Sequence, residues 1–339
     1  MKEAMFYQQG KGTEVICGLC SHRCHIKEGR RGICGVRENR EGKLYTLVYG
    51  QLVSEHVDPI EKKPLFHLLP GSQSFSISTV GCNFRCLHCQ NYQISQYPHL
   101  QGGQITGREK SAESVVDDAV GSGCASISYT YVEPTIFYEF AYDCAVLAHK
   151  RQLKNVFVSN GYMTPEVARH LAPVLDGINI DIKAFTDDFY KKVCKARLQP
   201  VLDNVRLMHE LGVWVEVTTL IIPGLNDSTR ELRELAQFIK NVSPAVPWHV
   251  TAFYPTYKMM DRERTPIETL RKAREIGLAE GLRFVYEGNI PGGGGENTFC
   301  PACGATLITR FGFSVRQVNM TDGRCGKCGE QIEGVWQKE

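Results

Sequence analysis

Gly81-Cys82-Asn83-Phe84-Arg85-Cys86-Leu87-His88-Cys89 follows directly on a strand-like run at 74–80. The CxxxCxxC spacing puts three thiols on one tight loop at the carboxyl end of that strand. Three thiolates can hold three irons of a cubane cluster, whereas zinc in a structural site takes four ligands and would be left one short. An iron with an open position can bind the amine and carboxylate of a small molecule, and a low-potential cluster can pass that molecule one electron. A three-cysteine zinc site completed by His88 or His99 is the alternative, because spacing alone fixes neither geometry nor metal.

Outward from this loop, strand-like and helix-like runs alternate. Strands are expected at 74–80, 125–129, 155–159, 177–182, 213–221, 248–253 and 283–286, with helices at 113–121, 135–150, 201–211, 228–241 and 266–280. Thr164-Pro165 and Thr265-Pro266 read as Thr N-caps followed by first-turn prolines, which start a helix without losing a needed N–H donor. Repeated right-handed β-α units close most naturally into an α/β partial (β/α)6 barrel. Its chemistry belongs on the loops after Val80, Tyr129, Ser159, Ile180 and Leu220. A doubly wound open sheet is the other candidate, but no GxGxxG turn opens a helix after an early strand.

The 339 residues are 42% hydrophobic and 22% charged, enough apolar material for a large core, which excludes a disordered chain. Lys and Arg (39) nearly balance Asp and Glu (37), a net +2 that advertises no nucleic-acid partner. The N-terminus lacks a signal-peptide h-region, and no window approaches the roughly 18 apolar residues of a membrane span, so a soluble cytoplasmic protein is expected.

The 14 cysteines amount to too few for a disulfide scaffold, and 11 of them fall into three tight sets, a metal pattern. Cys124, Cys144 and Cys194 lie in apolar surroundings and read as core. Cys300, Cys303, Cys325 and Cys328 form a CxxC…CxxC pair around a β-rich stretch at 306–315, the zinc-ribbon pattern, with rubredoxin-type iron as the other option. Cys17, Cys20, Cys24 and Cys34 supply four more thiolates for zinc or an auxiliary iron–sulfur cluster; a short folded-over segment with four thiolates favours zinc. The run at 43–57 reads as a short hairpin or strand pair. From Pro291 the chain enters four consecutive glycines. Boundaries near 70 and 296 therefore divide the chain into a Cys-rich metal-binding segment (1–70), a barrel (71–295) and a zinc-ribbon-like segment (296–339).

The CxxxCxxC loop at the end of the first barrel strand resembles the signature of the radical SAM superfamily. The resemblance implies that Cys82, Cys86 and Cys89 ligate a [4Fe-4S] cluster whose open iron chelates S-adenosylmethionine (SAM), and that reductive cleavage gives a 5′-deoxyadenosyl radical that abstracts hydrogen from a substrate. His88 stands where the family usually has Phe, Tyr or Trp, and its planar ring can pack on adenine. Glu133, at the place of a Gly-Gly-Glu segment, would take the SAM amino group, although a carboxylate there also suits a helix start. Asn160 and the pair Asp181 and Lys183 match residues flanking SAM in pyruvate formate-lyase activase-like members, Lys183 approaching its carboxylate; a structural ion pair is the plainer reading of those two. Thr218 lies in the segment that packs adenine.

The order CGLCSHRCHIKEGRRGICGVREN (17–39), DPIEKKPLFHLLPGS (58–72), the triad loop, SYTYVEPTIF, INIDIKAF and GNIPGGGGENTFCPACG resembles the radical SAM protein of the AmmeMemoRadiSam system. This implies a substrate handled together with AMMECR-domain and Memo-like proteins, and an electron donor such as flavodoxin or ferredoxin. A glycyl-radical-enzyme activase is the second functional expectation and a non-catalytic zinc-stabilised scaffold the third.

Overall fold

The computed structural model describes residues 1–290 and 292–337; Pro291, where the glycine run was expected to start, and Lys338 and Glu339, at the end of the expected zinc-ribbon segment, lie outside the described residues. The main sheet contains β1 (Ser54–Pro59), β2 (Gln73–Ser78), β3 (Ser126–Tyr129), β4 (Lys154–Ser159), β5 (Gly177–Asp181), β6 (Trp214–Ile221), β7 (Trp248–Ala252) and β8 (Val285–Gly288). Strands β2 to β8 are parallel and adjacent in chain order, and β1 joins β2 antiparallel. Strands that are parallel and sequentially adjacent require every crossover to turn the same way, which gathers the helices on one outer face. The sheet ends at β1 and β8 without closing, the expected partial barrel.

The crossover helices are α1 (Ala112–Gly121), α2 (Tyr138–Lys150), α3 (Pro165–Leu171), α4 (Gln199–Glu210), α5 (Thr229–Val242) and α6 (Ile267–Ala279). In α5, Leu232, Leu235, Ala236 and Ile239 recur at helical spacing and are buried, while the Ser228 hydroxyl accepts the Glu231 N–H at 3.2 Å and caps the first turn.

Three local expectations change. Helix α3 does begin at Pro165, but the Thr164 hydroxyl donates to the Gly18 carbonyl (2.8 Å) instead of capping. Pro266 is the cap of α6 and not its first helical residue, because Thr265 is drawn inward: its hydroxyl donates to Ile221 O (2.6 Å) and accepts from Phe253 N (2.8 Å). The run at 43–57 does not fold on itself. Its first part, Lys43–Thr46, pairs back onto Arg37–Arg40, and its second part becomes β1. Paired β1 residues cover the β2 edge, which offers more backbone hydrogen bonds than a lone hairpin.

Register places Ser76, Ser128, Asn179, Glu216, Thr218, His249 and Tyr286 on one face of the sheet. At the end where the strands begin, the segment 60–71 plugs this face. Phe66 packs its ring on His249 and Tyr286 (4.7 Å each), and Glu216 accepts the backbone N–H groups of Phe66 (3.0 Å) and His67 (2.8 Å). The N-terminal segment shares the main core through Val15, Leu19, Ile26 and Val36, whereas Cys300, Leu307, Ile308, Cys325 and Ile332 build a separate cluster on Phe66, Phe284 and Tyr286. With one end plugged, only the carboxyl ends of the strands remain for chemistry. No helix among the described residues is long and apolar enough to cross a membrane.

Candidate active site and metal centres

The triad loop leaves β2 through Gly81, whose φ of 99° suits glycine, and is pinned from several sides. Gly81 N donates to Ile94 O (3.0 Å), Arg85 N to Cys194 O (3.0 Å), Leu87 N to Val193 O (3.0 Å), and Lys258 N to Leu87 O (3.0 Å). The carbonyls of Val193 and Cys194 come from a π-helical turn, Tyr190–Cys194, that ends in left-handed Lys195. Such wide turns occur often at functional sites because they leave backbone groups free to bond elsewhere.

All three triad thiols resist ionisation. Burial and the Glu133 carboxylate raise Cys82, hydrogen bonding to the Cys194 thiol together with burial raises Cys86, and burial raises Cys89. Thiols of this kind lose their protons to a bound metal cation and not to water. Close by, Lys183 Nζ meets Asp181 Oδ2 at 2.5 Å. Burial opposes the lysine charge, but the Asp181 carboxylate outweighs it and holds the pKa of Lys183 above the ordinary lysine value.

Glu133 is buried and already heavily used: Oε1 accepts from Thr135 N (3.1 Å), Thr135 Oγ1 (2.5 Å) and Ser159 Oγ (2.8 Å), and Oε2 from Asn160 N (2.7 Å). It therefore caps the turn Pro134–Phe137 and ties the end of β3 to that of β4. Oε2 keeps a lone pair for one more donor. Asn160 Nδ2 donates to Asn83 Oδ1 (2.7 Å), which joins the β4 turn to the triad loop. His88 is buried near Phe189, and burial followed by the Lys183 charge pushes its pKa down to about 3, so its ring is neutral.

Asn83 Nδ2, His88 Nδ1 and Thr218 Oγ1 are buried without a hydrogen-bond partner. Buried polar atoms seldom go unpaired, so two of them on the triad loop and a third on the inner face of β6, paired with Asp181, fit a polar ligand. Thiols that need a cation, together with a charged lysine and these orphaned atoms, suit a metal cluster carrying a small amino acid-like ligand.

The four C-terminal thiols lie within 4.8 Å of one another, with Cys300 Sγ to Cys328 Sγ 3.6 Å and Cys303 Sγ to Cys325 Sγ 3.8 Å. The Cys328 and Lys327 N–H groups hold the Cys325 thiol down to about 6, while hydrogen bonds to the other thiols of the set push Cys328 up to about 12. No other set of three or more candidate ligands among the described residues is so compact. Cys82, Cys86 and Cys89 thus stand wider apart than one ion requires, and so do Cys17, Cys20, Cys24 and Cys34.

Two residues escaped the reading of the sequence. Cys194 is buried as expected of core, but its thiol bonds Cys86 and its carbonyl holds Arg85 N. Its place on the segment after Asp181-Ile182-Lys183 was the available signal. Asn83, inside the triad spacing, links Asn160 to the N-terminal segment, since His22 Nε2 meets its carbonyl at 2.8 Å.

Comparison with known proteins supplies a context for this geometry. The model of the Radical SAM superfamily matches residues 76–239. An uncharacterized protein of Methanocaldococcus jannaschii is 48% identical over 338 residues, covering 99% of this chain and 100% of that one. A pyruvate formate-lyase-activating enzyme of Clostridium pasteurianum is 25% identical over 221 residues, 61% of this chain and 89% of that one. Among solved structures, a radical SAM methyltransferase from Sphaerobacter thermophilus aligns with TM-score 0.49 at 16% identity, covering 64% of this chain and 67% of that one.

Proposed function

Because the chain belongs to the Radical SAM superfamily, a group of iron–sulfur-dependent enzymes, we propose that Cys82, Cys86 and Cys89 hold a [4Fe-4S] cluster and that SAM binds at its open iron. When bound, the cluster would supply one electron to the sulfonium of SAM, breaking the bond from sulfur to the 5′ carbon and releasing methionine and a 5′-deoxyadenosyl radical able to abstract hydrogen from the substrate. The observation that carries this reading is the wide-set, half-buried triad beside Lys183 and the orphaned atoms of Asn83, His88 and Thr218.

In this reading the protein's own residues bind and orient. Lys183, kept protonated by Asp181, takes the SAM carboxylate; the free lone pair of Glu133 Oε2 takes the ammonium; neutral His88 and Thr218 meet the nucleoside portion. Asn160 acts through Asn83 as a positioning residue, holding the triad loop against β4. Cys300, Cys303, Cys325 and Cys328 hold one zinc at the far end of the barrel. Residues 1–70, 71–295 and 296–339 form the metal-binding segment, the barrel and the zinc-ribbon-like segment. An external one-electron protein donor of the flavodoxin or ferredoxin type reduces the cluster.

The order of motifs along the chain further supports an AmmeMemoRadiSam-type system, with a substrate handled alongside AMMECR-domain and Memo-like proteins. A glycyl-radical activase is the second reading, favoured by similarity to the activating enzyme of Clostridium pasteurianum.

The test is anaerobic reconstitution followed by electron paramagnetic resonance of the dithionite-reduced protein with and without SAM. A signal that changes on SAM addition, and loss of 5′-deoxyadenosine formation in Cys86→Ala, are expected. Undiminished SAM cleavage in that variant, or zinc at every cysteine set with no iron, overturns the proposal.

A further inference from the structure

We propose that Cys17, Cys20, Cys24 and Cys34 hold an iron–sulfur cluster of more than one iron, with Arg37 as its buried counter-ion. The four thiols, Leu19, Ile26 and Arg37 line a small enclosed cavity that reaches Asn83 of the triad loop. Spacing decides against a single ion. Thiolates on one zinc sit about 2.3 Å from the metal, so they lie about 3.8 Å apart in a tetrahedron and at most about 4.6 Å apart. The C-terminal set meets that limit, with sulfur pairs at 3.6 and 3.8 Å. Among the described residues, no three of the N-terminal thiols lie within 4.8 Å of one another. Thiolates bound to different irons of a cluster stand farther apart, and the central triad shows the same wide setting.

Arg37 is the second, independent observation. It is 1% exposed. Its Nη2 meets Glu139 Oε1 at 3.0 Å and Met5 O at 2.5 Å, but Nε and Nη1 have no acceptor. Burying guanidinium N–H groups unpaired is costly, and the residue lines the same cavity as the thiols. A four-thiolate cluster is an anion rich in sulfur acceptors, so it satisfies both nitrogens and the charge. The charge alone would suit a zinc tetrathiolate equally; the spacing of the thiols selects the cluster.

The cavity also abuts the central loop. A Cβ on Gly81 would lie 2.5 Å from Val36 Cγ1 and 2.9 Å from the Cys34 carbonyl oxygen, and His22 bonds the Asn83 carbonyl. The two cysteine sets are thus built against each other.

Anaerobic reconstitution of the full chain with iron and sulfide, followed by iron, zinc and acid-labile sulfide analysis, tests this directly. About six to eight irons per chain are expected, more than one central cubane can hold. About four irons with a second zinc, or about four with nothing further, overturns it. The triple variant Cys82→Ala, Cys86→Ala, Cys89→Ala separates this proposal from the function proposed above. It should keep about two to four irons with matching sulfide, whatever the central loop does, and an iron-free folded triple variant overturns the proposal. In that background, Arg37→Gln with Glu139→Gln should move the remaining reduction potential to more negative values, because a nearby cation favours the reduced, more anionic state. An unchanged potential removes Arg37 from the proposal.

Discussion

The two flanking four-cysteine sets sit at opposite ends of one barrel and differ in almost everything but residue type. The N-terminal set lies at the mouth, against the triad loop: Ser21 N donates to Tyr162 O (2.9 Å), Cys20 bridges Met163, and His22 Nε2 meets Asn83 O at 2.8 Å. Burial pushes up the thiols of Cys20, Cys24 and Cys34, the last to about 12, and a buried arginine lines their cavity. The C-terminal set is compact, with sulfur pairs at 3.6 and 3.8 Å. It rests on the plugged end, where Arg310 donates to Phe66 O (2.8 Å) and Thr298 Oγ1 (2.8 Å), and His67 meets Tyr286 Oη at 2.6 Å. Four thiols can therefore form a self-contained clip closed by local turns, or a chamber that is complete only when packed on another loop.

The sharpest way to break this contrast is Gly81→Ala. A left-handed residue with a Cβ forced against a backbone carbonyl should cost about 3 kcal/mol locally. We expect it to deplete iron from both the triad and the N-terminal chamber while one zinc stays in the C-terminal clip, read by metal analysis. Loss of that zinc as well would show that the ends are coupled.

The plugged end should respond to acid. Burial, partly offset by Glu216, lowers the pKa of His67 from 6.5 to about 4. The unfolded chain thus binds a proton below about pH 6.5 that the folded chain refuses until about pH 4, so stability falls as pH drops through that window, by roughly 3 kcal/mol at most. His67→Phe should flatten the pH dependence of urea unfolding there; an unaltered slope would remove His67 from the junction's energetics. The smallest effect belongs to the exposed pair Arg23 and Glu166, which also links the N-terminal segment to the barrel at 3.3 Å. Arg23→Ala should change stability by less than about 0.5 kcal/mol and leave iron content untouched. An iron loss there would mean that surface charge, and not the buried arginine, holds the chamber.

Much of this architecture was legible beforehand. The seven parallel strands lie within two residues of their expected spans, because each is a short run in which β-branched and aromatic residues alternate with small or polar ones between helical stretches. β1 was not legible as part of the barrel. Its sequence, Ser-Glu-His-Val-Asp-Pro, is that of a half-exposed edge strand, and an edge needs only one paired neighbour. Thr164 and Thr265 looked like caps, yet their hydroxyls serve distant carbonyls, a choice made by packing. Cys194 looked like core and is core, but burial put its thiol on Cys86.

The sequence by itself determined the barrel, the position of the triad loop and the presence of three metal-type cysteine sets, since periodicity and short spacings are local properties of the chain. Only the tertiary structure decided which set is compact and which is wide, that Arg37 is buried among the N-terminal thiols, that Glu133 holds two strand ends together, and that the clip and the chamber occupy opposite ends. Those facts depend on contacts between residues tens to hundreds of positions apart, such as Arg37 with Glu139 and Phe66 with Arg310, for which spacing along the chain carries no signal.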